Sequence, residues 1–456
     1  MNDIAAVLLT VIAIFITAKF ILEKYNPMFV FFTSGIIIFL LLAVWKGFTS
    51  MGEETTGNII LDIFAYIGIV TKSQLSGVGT NLMIVAGYAA FMTYIKASDK
   101  LASVLTKPLM KISNPYIVLG LLYVVGTILK MMITSHAGLV MLLMATAYPI
   151  LVGLGIGKLS AAAAILATGS IDWGPNDGAA IFAAENVVGV SVVDYFMNYQ
   201  WIPGAISVLT IATIMVVYFR KLDKKNNANT AIEVSTIEEK GKGIPRIYAI
   251  LPSLPLLLVI GFSLFTTIEM DVFTASVISL IVVFILEIII KKDSKEVGKS
   301  IAIVFKAMGN SFANVVTLII AAGVFSSGLI ELGGINILAN TLAGLEGAQL
   351  LSVIALSALT FFAVIILGSG NASWFAFGPL VPDIASKVGL QPYQIAVPMQ
   401  LASGIGRGLS PVAGAVIAVA GLAEVDTDDL IKRNIVPLVC GAIVNIIVSY
   451  VIFILF

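Results

Sequence analysis

Apolar runs close to twenty residues long recur from one end of this chain to the other; residues 4–20, 27–44, 247–265, 273–290 and 434–456 are the clearest. An α-helix rises ~1.5 Å per residue, so each run is long enough to cross a hydrocarbon core of ~30 Å. Only 11% of the residues are charged, against about 25% in soluble domains. The expected fold class is therefore an all-α polytopic membrane protein. A membrane β-barrel would instead show alternating segments of ~10 residues. The beginning MNDIAAVLLT lacks a basic stretch and a small-residue cleavage site, so no removable signal peptide is expected. Cys440, the one cysteine, excludes an internal disulfide and reads as a small core residue. Lys and Arg balance Asp and Glu at 26 each, so nothing points to a nucleic-acid partner.

The one long polar segment, RKLDKKNNANTAIEVSTIEEKGKGIPR (220–246), mixes both charge signs with Asn, Gly and Thr and reads as a solvated linker. The stretches on either side of it match in order. AGYAAFMTYI (86–95) resembles AAGVFSSGLI (321–330), and MITSHAGLVM (132–141) resembles LGSGNASWFA (367–376). LATGSIDWGPNDGAA (166–180) pairs with LASGIGRGLSPVAGAV (401–416), and YQWIPGAISV (199–208) with RNIVPLVCGA (433–442). Four matches in one order at a near-constant offset of about 235 residues point to an internal duplication.

Orientation follows from Lys and Arg, which accumulate on the cytoplasmic side. An outside N-terminus places Lys19, Lys24, Lys96, Lys100, Lys107, Lys111, Lys158, the linker, the cations of 291–299, Lys432 and Arg433 inside. Only Lys46, Lys72 and Lys387 then fall outside. The second half must start inside, so it would cross the membrane opposite to the first. An inverted-topology repeat of this kind is a frequent construction among secondary transporters.

Each half then departs from simple spans. TSHAG (134–138) interrupts the apolar stretch 115–154, and GSGNAS (368–373) interrupts 350–386. Both breaks are too short and too poor in charge for exposed loops, so re-entrant helical hairpins are expected. Each is followed by a helix broken at GSIDWGPND (169–177, within 159–188) or SGIGRGLSP (403–411, within 393–422). Irregular backbone at membrane depth persists only where it is buried in protein or lines a wet cavity. Broken helices aim N-termini at anions, and carbonyls and hydroxyls at cations. The expected organisation is residues 1–219 as repeat 1, 220–246 as a cytoplasmic linker and 247–456 as repeat 2.

GYAAFMTYIKASDKLASVLTKPL (87–109), LLMATAYPILVGLGIGKLSAAAAI (142–165), GSGNASWFAF (368–377) and GRGLSPVAGAVIAVAGLA (406–423) resemble the DcuC-type anaerobic C4-dicarboxylate carriers of the ion-transporter superfamily. The likeness extends over nearly the whole chain. It implies a carrier of the cytoplasmic (inner) membrane with scaffold and transport domains, elevator-type movement and homodimers. Against that pattern, His136 stands at the first hairpin tip, where a small residue is usual. Asp172, Trp173, Asn176 and Asp177 make the first broken helix unusually polar.

The candidate substrate ligands are Ser135, His136, Asn176, Ser369, Asn371, Ser373 and Arg407. Arginine is costly at membrane depth and its planar fork suits a carboxylate; its other role would be to tie hairpin carbonyls to the broken helix. Candidate coupling-ion ligands are Thr134, Asp172, Asp177, Ser403 and Ser410. The two aspartates are equally readable as counter-ions to Arg407 or Lys130, and Asp177 as an N-cap for 178–186. The short hydroxyls would otherwise satisfy loose backbone groups. Lys130 is expected to snorkel to the inner surface. Trp173 and Trp374 flank the two breaks, where packing and substrate contact are both open. A lone histidine without Cys or an acidic cluster does not make a metal site. No cofactor is expected, with Na⁺ at the hairpin tips as a candidate coupling ion.

The expected function is secondary transport of a small carboxylate such as a C4-dicarboxylate, coupled to Na⁺ or H⁺ or working by exchange. The chain has no G-x-x-x-x-G-K-[ST] nucleotide loop to drive it with ATP. An amino acid or another organic anion is the alternative cargo, because the acidic stretch 172–177 would suit an amino group. An intramembrane enzyme is disfavoured, since there is no metal-ligand pair and no G-x-S-x-G elbow.

Overall fold

The computed structural model describes residues 3–23, 25–45, 55–106, 108, 112, 114–225, 243–266, 268, 270–334, 337, 341 and 347–455. Lys24, Lys46, Lys107 and Lys111 among the orientation signals, and linker residues 226–242, lie outside the described residues.

Long apolar runs produce long helices. The first half contains α1 (Asp3–Leu22), α2 (Pro27–Trp45), α3 (Ile59–Tyr94) and α4 (Ala97–Thr106). It continues with α5 (Pro115–Lys130), α6 (His136–Gly153), α7 (Lys158–Ala167), α8 (Gly178–Val188) and α9 (Val192–Lys225). The second half contains α10 (Arg246–Phe265), α11 (Val272–Lys291), α12 (Ser294–Leu332), α13 (Ala348–Leu367), α14 (Gly370–Phe377) and α15 (Val381–Lys387). It closes with α16 (Pro392–Arg407), α17 (Gly414–Ala423) and α18 (Thr427–Leu455). Among the described residues, ten helices are long and apolar enough to cross a membrane. Large apolar side chains such as Phe15, Phe29, Ile285, Phe362 and Ile447 stand exposed. Such a surface is a liability in water and costs nothing against lipid tails.

The two longest helices, α3 and α12, each depart from regular α-helix near the middle: α3 kinks within Leu75–Gly79, where Gly77 is non-helical (φ −85°, ψ −114°), and α12 makes a π-helical turn at Phe312–Val316. The helix breaks are set by local chemistry. Asn114 caps α5, which opens with Pro115, and Ser135 caps α6 by accepting from Gly138 N at 3.1 Å. Ser369 caps α14 in the same way, accepting from Ala372 N at 3.2 Å. Gly368 ends α13 in the left-handed conformation (φ +72°), a position where a side chain would be strained. The helices beside the breaks form the centre of the molecule. In α7 every residue from 160 to 167 is buried, and in α16 every residue from 395 to 406.

The segment 220–246, expected as a solvated linker, begins instead as helix. α9 runs on to Lys225 because Asp223 points inward. Its Oδ1 pairs with Arg433 Nη1 at 2.7 Å and accepts from Ser160 Oγ at 2.8 Å. Its Oδ2 accepts from Tyr116 OH at 3.0 Å and Gly157 N at 3.2 Å. One carboxylate thus joins α5, α7, α9 and α18. Arg433, expected as a surface topology signal, is buried in this cluster. The partners satisfy both charges, which makes their burial tolerable.

Candidate functional site

The non-helical stretch 168–177 brings Asp172 and Asp177 to the end of α5, where Lys130 lies. Lys130 is 1% exposed and its Nζ stands 2.6 Å from Asp177 Oδ2 and 3.2 Å from Asp172 Oδ1. It does not snorkel, because two carboxylates hold the ammonium in the interior. Asp172 Oδ2 also bonds Arg407 Nη2 at the end of α16. Two cations and two anions therefore form one chain, Asp177–Lys130–Asp172–Arg407, with no net charge. Asp177 also caps α8, its Oδ1 accepting from Ala179 N (2.9 Å) and Ala180 N (3.3 Å). The counter-ion and N-cap readings of the two aspartates both describe the geometry.

The backbone of the break is fixed by two glutamines. Gln400 Nε2 and Gln200 Nε2 donate to the Asp172 carbonyl at 2.6 and 3.2 Å, and Gln200 Nε2 also donates to Gln400 Oε1 at 2.8 Å. Gly174 N donates to Gln200 Oε1 at 2.9 Å. The two breaks also touch directly: a Cβ at Gly404 would lie 2.7 Å from the Ser170 carbonyl oxygen.

In front of the charged chain lies a cavity of about 700 Å³, within the ~300–1,000 Å³ range of small-molecule sites. Its inner wall carries Thr134, Ser135, His136, Asn176, Asn371 and Arg407. From there it extends along α3 and α12 to Thr93, Ser98 and Asp99. Elsewhere α3 is tied to α8 by side-chain hydrogen bonds. Asn81 Nδ2 donates to Glu185 Oε1 at 2.7 Å, and Asn186 Nδ2 to Gln74 Oε1 at 2.8 Å. Trp374 Nε1 donates to the Ala179 carbonyl at 3.0 Å, and Phe182 packs on Trp374 and Phe375. Three buried atoms on the cavity wall residues have no hydrogen-bond partner among the described residues: His136 Nδ1, Asn176 Oδ1 and Arg407 Nε. Buried polar groups are nearly always satisfied, and these three, each with almost no accessible surface, belong to residues that line the cavity.

The model of the C4-dicarboxylate anaerobic carrier family, DcuC, matches residues 6–454. The chain belongs to that family. It is 32% identical to the anaerobic C4-dicarboxylate transporter DcuC of Escherichia coli K12 over 443 residues, 97% of this chain and 95% of the relative. It is also 32% identical to the probable anaerobic C4-dicarboxylate transporter DcuC of Vibrio cholerae, covering 96% of each chain. Two solved transporters share its fold. They are YdaH of Alcanivorax borkumensis, whose topology is described as unusual, and the Neisseria gonorrhoeae efflux pump MtrF. Both match with a TM-score of 0.57 at 14% identity over 94% of this chain, and over 98% and 95% of theirs. This DcuC-family chain is a transporter and not an enzyme, a multi-pass protein of the inner membrane.

Not every expected ligand of the carrier reaches the cavity. Thr134, Ser135, His136, Asn176, Asn371 and Arg407 line it, and Asp172 and Asp177 stand behind Arg407 in the charged chain. The serines are used locally instead. Ser369 is the α14 cap, Ser373 Oγ donates to the Gly370 carbonyl at 3.0 Å, and Ser403 Oγ donates to the Gln400 carbonyl at 2.7 Å. Ser410 Oγ accepts from Val412 N at 3.4 Å. Trp173 Nε1 donates to the Thr127 carbonyl at 2.9 Å, which assigns it to packing. Sequence reasoning passed over Gln200, Gln400 and the cavity residue Asn310. The available signal was a polar side chain in an apolar stretch, since such residues tend to face the interior of a bundle. Among the described residues no cluster of three or more His, Cys, Asp or Glu could hold a metal ion.

Proposed function

We propose that this carrier moves C4-dicarboxylates by secondary transport, with the cavity at Arg407 as the substrate site. The observation that carries the reading is the placement of the Arg407 guanidinium on the wall of a cavity of about 700 Å³. A carboxylate is its natural complement. Thr134, Ser135 and Asn371 would donate to the remaining oxygens. The relatives named for C4-dicarboxylate transport support the cargo.

The charged chain is neutral, so a dianion entering this site brings two uncompensated charges to a place where they are costly. Na⁺ or H⁺ carried with the substrate would compensate these charges in the site, whereas exchange against another dicarboxylate would balance only the net charge moved across the membrane. We assign the halves to inverted-topology repeats, with α5–α6 and α13–α15 as re-entrant hairpins. In support, the helix starts at Ser135 and Ser369, Asp177 and Ala413, and Ser191 and Asp426 are all separated by about 235 residues. The cavity runs toward α4; Lys96 before it and Lys100 within it support a cytoplasmic position for that side, with both chain termini outside. On this orientation the cavity at Arg407 would open to the cytoplasm. Elevator-type movement in a homodimer follows from the family resemblance.

The test is uptake into proteoliposomes of a panel of labelled dicarboxylates and amino acids, with imposed Na⁺ and H⁺ gradients and with internal dicarboxylate for exchange. Dicarboxylate accumulation under at least one of these driving forces is expected. Uptake of amino acids alone would overturn the reading.

A further inference from the structure

The first half of α12, residues 294–311, presents three different faces. The whole helix has 39 residues, so at ~1.5 Å per residue it is ~58 Å long, against ~40–45 Å for a bilayer with its headgroup regions. It cannot stand upright in the membrane, and its first half runs aslant at one surface. Val297, Ser300, Val304 and Ser311 are buried and face α3. A Cβ at Gly87 would lie 2.9 Å from Val304 Cγ1, and Ser311 Oγ donates to the Leu82 carbonyl at 3.4 Å. Ile301, Phe305 and Phe312 stand 44%, 61% and 39% exposed, and Lys295, Lys299 and Lys306 are exposed as well. Each of these two triplets is spaced by four and then seven residues, which at ~100° per residue keeps its members within ~40° of one another. The apolar and the cationic stripe are thus ~120° apart.

Large apolar side chains on an exposed helix face belong against lipid, and the face continues the lipid-exposed surface of the bundle. Lysines beside such a face lay their stems along the acyl chains and carry their ammonium groups to the headgroups. Lys291 is held by Glu287 at 3.1 Å, whereas Lys295, Lys299 and Lys306 have no ion pair among the described residues. Of the nearby acids, Asp293 is used as the helix cap, accepting from Lys295 N at 3.0 Å and Glu296 N at 2.9 Å. Glu296 falls between the lysine stripe and the buried one. Resting on the orientation given above, which puts this end of α12 at the cytoplasmic surface, we propose that residues 294–311 are a docking face for anionic phospholipid headgroups of the inner leaflet. The negative potential of that leaflet complements three unpaired lysines on one stripe. The same helix supplies Ala307, Asn310 and Ser311 to the substrate cavity, so lipid held there braces one wall of it.

The experiment is the melting temperature of the full chain in nanodiscs of phosphatidylcholine alone and of phosphatidylcholine mixed with phosphatidylglycerol. The wild type is expected to melt ~3 °C higher in the anionic mixture and to lose that shift at high salt. Lys295→Gln, Lys299→Gln and Lys306→Gln combined should remove most of the shift. The same change at three exposed lysines ending α9, Lys221→Gln, Lys224→Gln and Lys225→Gln, should keep it. If the α12 variant does not fold, the wild-type shift and its loss at high salt decide. No shift in the wild type, a shift that survives high salt or the α12 variant, or an equal loss in the α9 variant would overturn the proposal. So would an α12 variant that keeps the shift but loses succinate counterflow equally in both lipids, which would make the stripe a collector of the dianion. Both leaflets of a nanodisc are alike, so this result does not depend on the orientation, whose own failure is read by labelling from the two sides of the membrane.

Discussion

Lys130 is the residue whose placement differs most from what an apolar helix end suggests, and replacing it gives a test with a defined sign. Its ammonium is 1% exposed and holds two carboxylates at 2.6 and 3.2 Å. Lys130→Met would leave Asp172 with Arg407, and Asp177 with only the backbone donors Ala179 N and Ala180 N. Breaking a buried pair from one side costs ~3–5 kcal/mol, because the remaining charge is uncompensated. Adding Asp177→Asn removes that orphan charge and keeps a side chain that caps α8 nearly as well. The double variant retains the balanced Asp172–Arg407 pair and should recover ~1–3 kcal/mol of the loss. An unfolding entropy of ~2.1 cal/mol/K per residue over a chain of this length converts 1 kcal/mol to ~1 °C. Lys130→Met should therefore lower the Tm by ~3–5 °C, and the second substitution should raise it again by ~1–3 °C. Intrinsic fluorescence of the detergent-purified protein reads this through its four tryptophans. A double variant less stable than Lys130→Met, or a Lys130→Met variant melting with the wild type, would refute the charge chain.

Other consequences follow from single residues. Gly169→Ala would drive its Cβ into the His136 ring, so it should impair counterflow more than the equally small change Gly298→Ala, where nothing lies within 4 Å. Asp223→Asn leaves Arg433 buried without its counter-ion and should cost ~3–5 kcal/mol, measured as a lower melting temperature that Arg433→Met added to it partly restores. Ala90 lines the cavity. In a Cys440→Ser background, Ala90→Cys should react with a membrane-impermeant maleimide from the cytoplasmic face and be protected by substrate. Labelling only from the outer face would reverse the orientation.

The spans were legible because apolar length alone defines them, and the helix breaks because Gly, Pro and Ser in an apolar stretch have no other use at membrane depth. The charged chain was legible only in part. Arg407 and the two aspartates stood out as charges in broken helices, but whether they pair with one another or face a ligand is decided by how α5 meets the two breaks. The position of Lys130 in the sequence gives no hint of that meeting. Ser373, Ser403 and Ser410 carry the same residue type as a ligand would, yet each is satisfied by backbone two to three residues away. Gln200 and Gln400 could be read only as anomalies, since their shared partner is the Asp172 carbonyl on a third segment.

Whether Arg407 binds the dicarboxylate is tested most directly by counterflow of labelled succinate into succinate-loaded proteoliposomes. The wild-type carrier is compared with Arg407→Gln, with reconstituted amounts and melting temperatures matched. Saturable uptake by the wild type that is lost in the variant is expected. Wild-type uptake by Arg407→Gln, or no dicarboxylate counterflow in the wild type, would contradict the assignment.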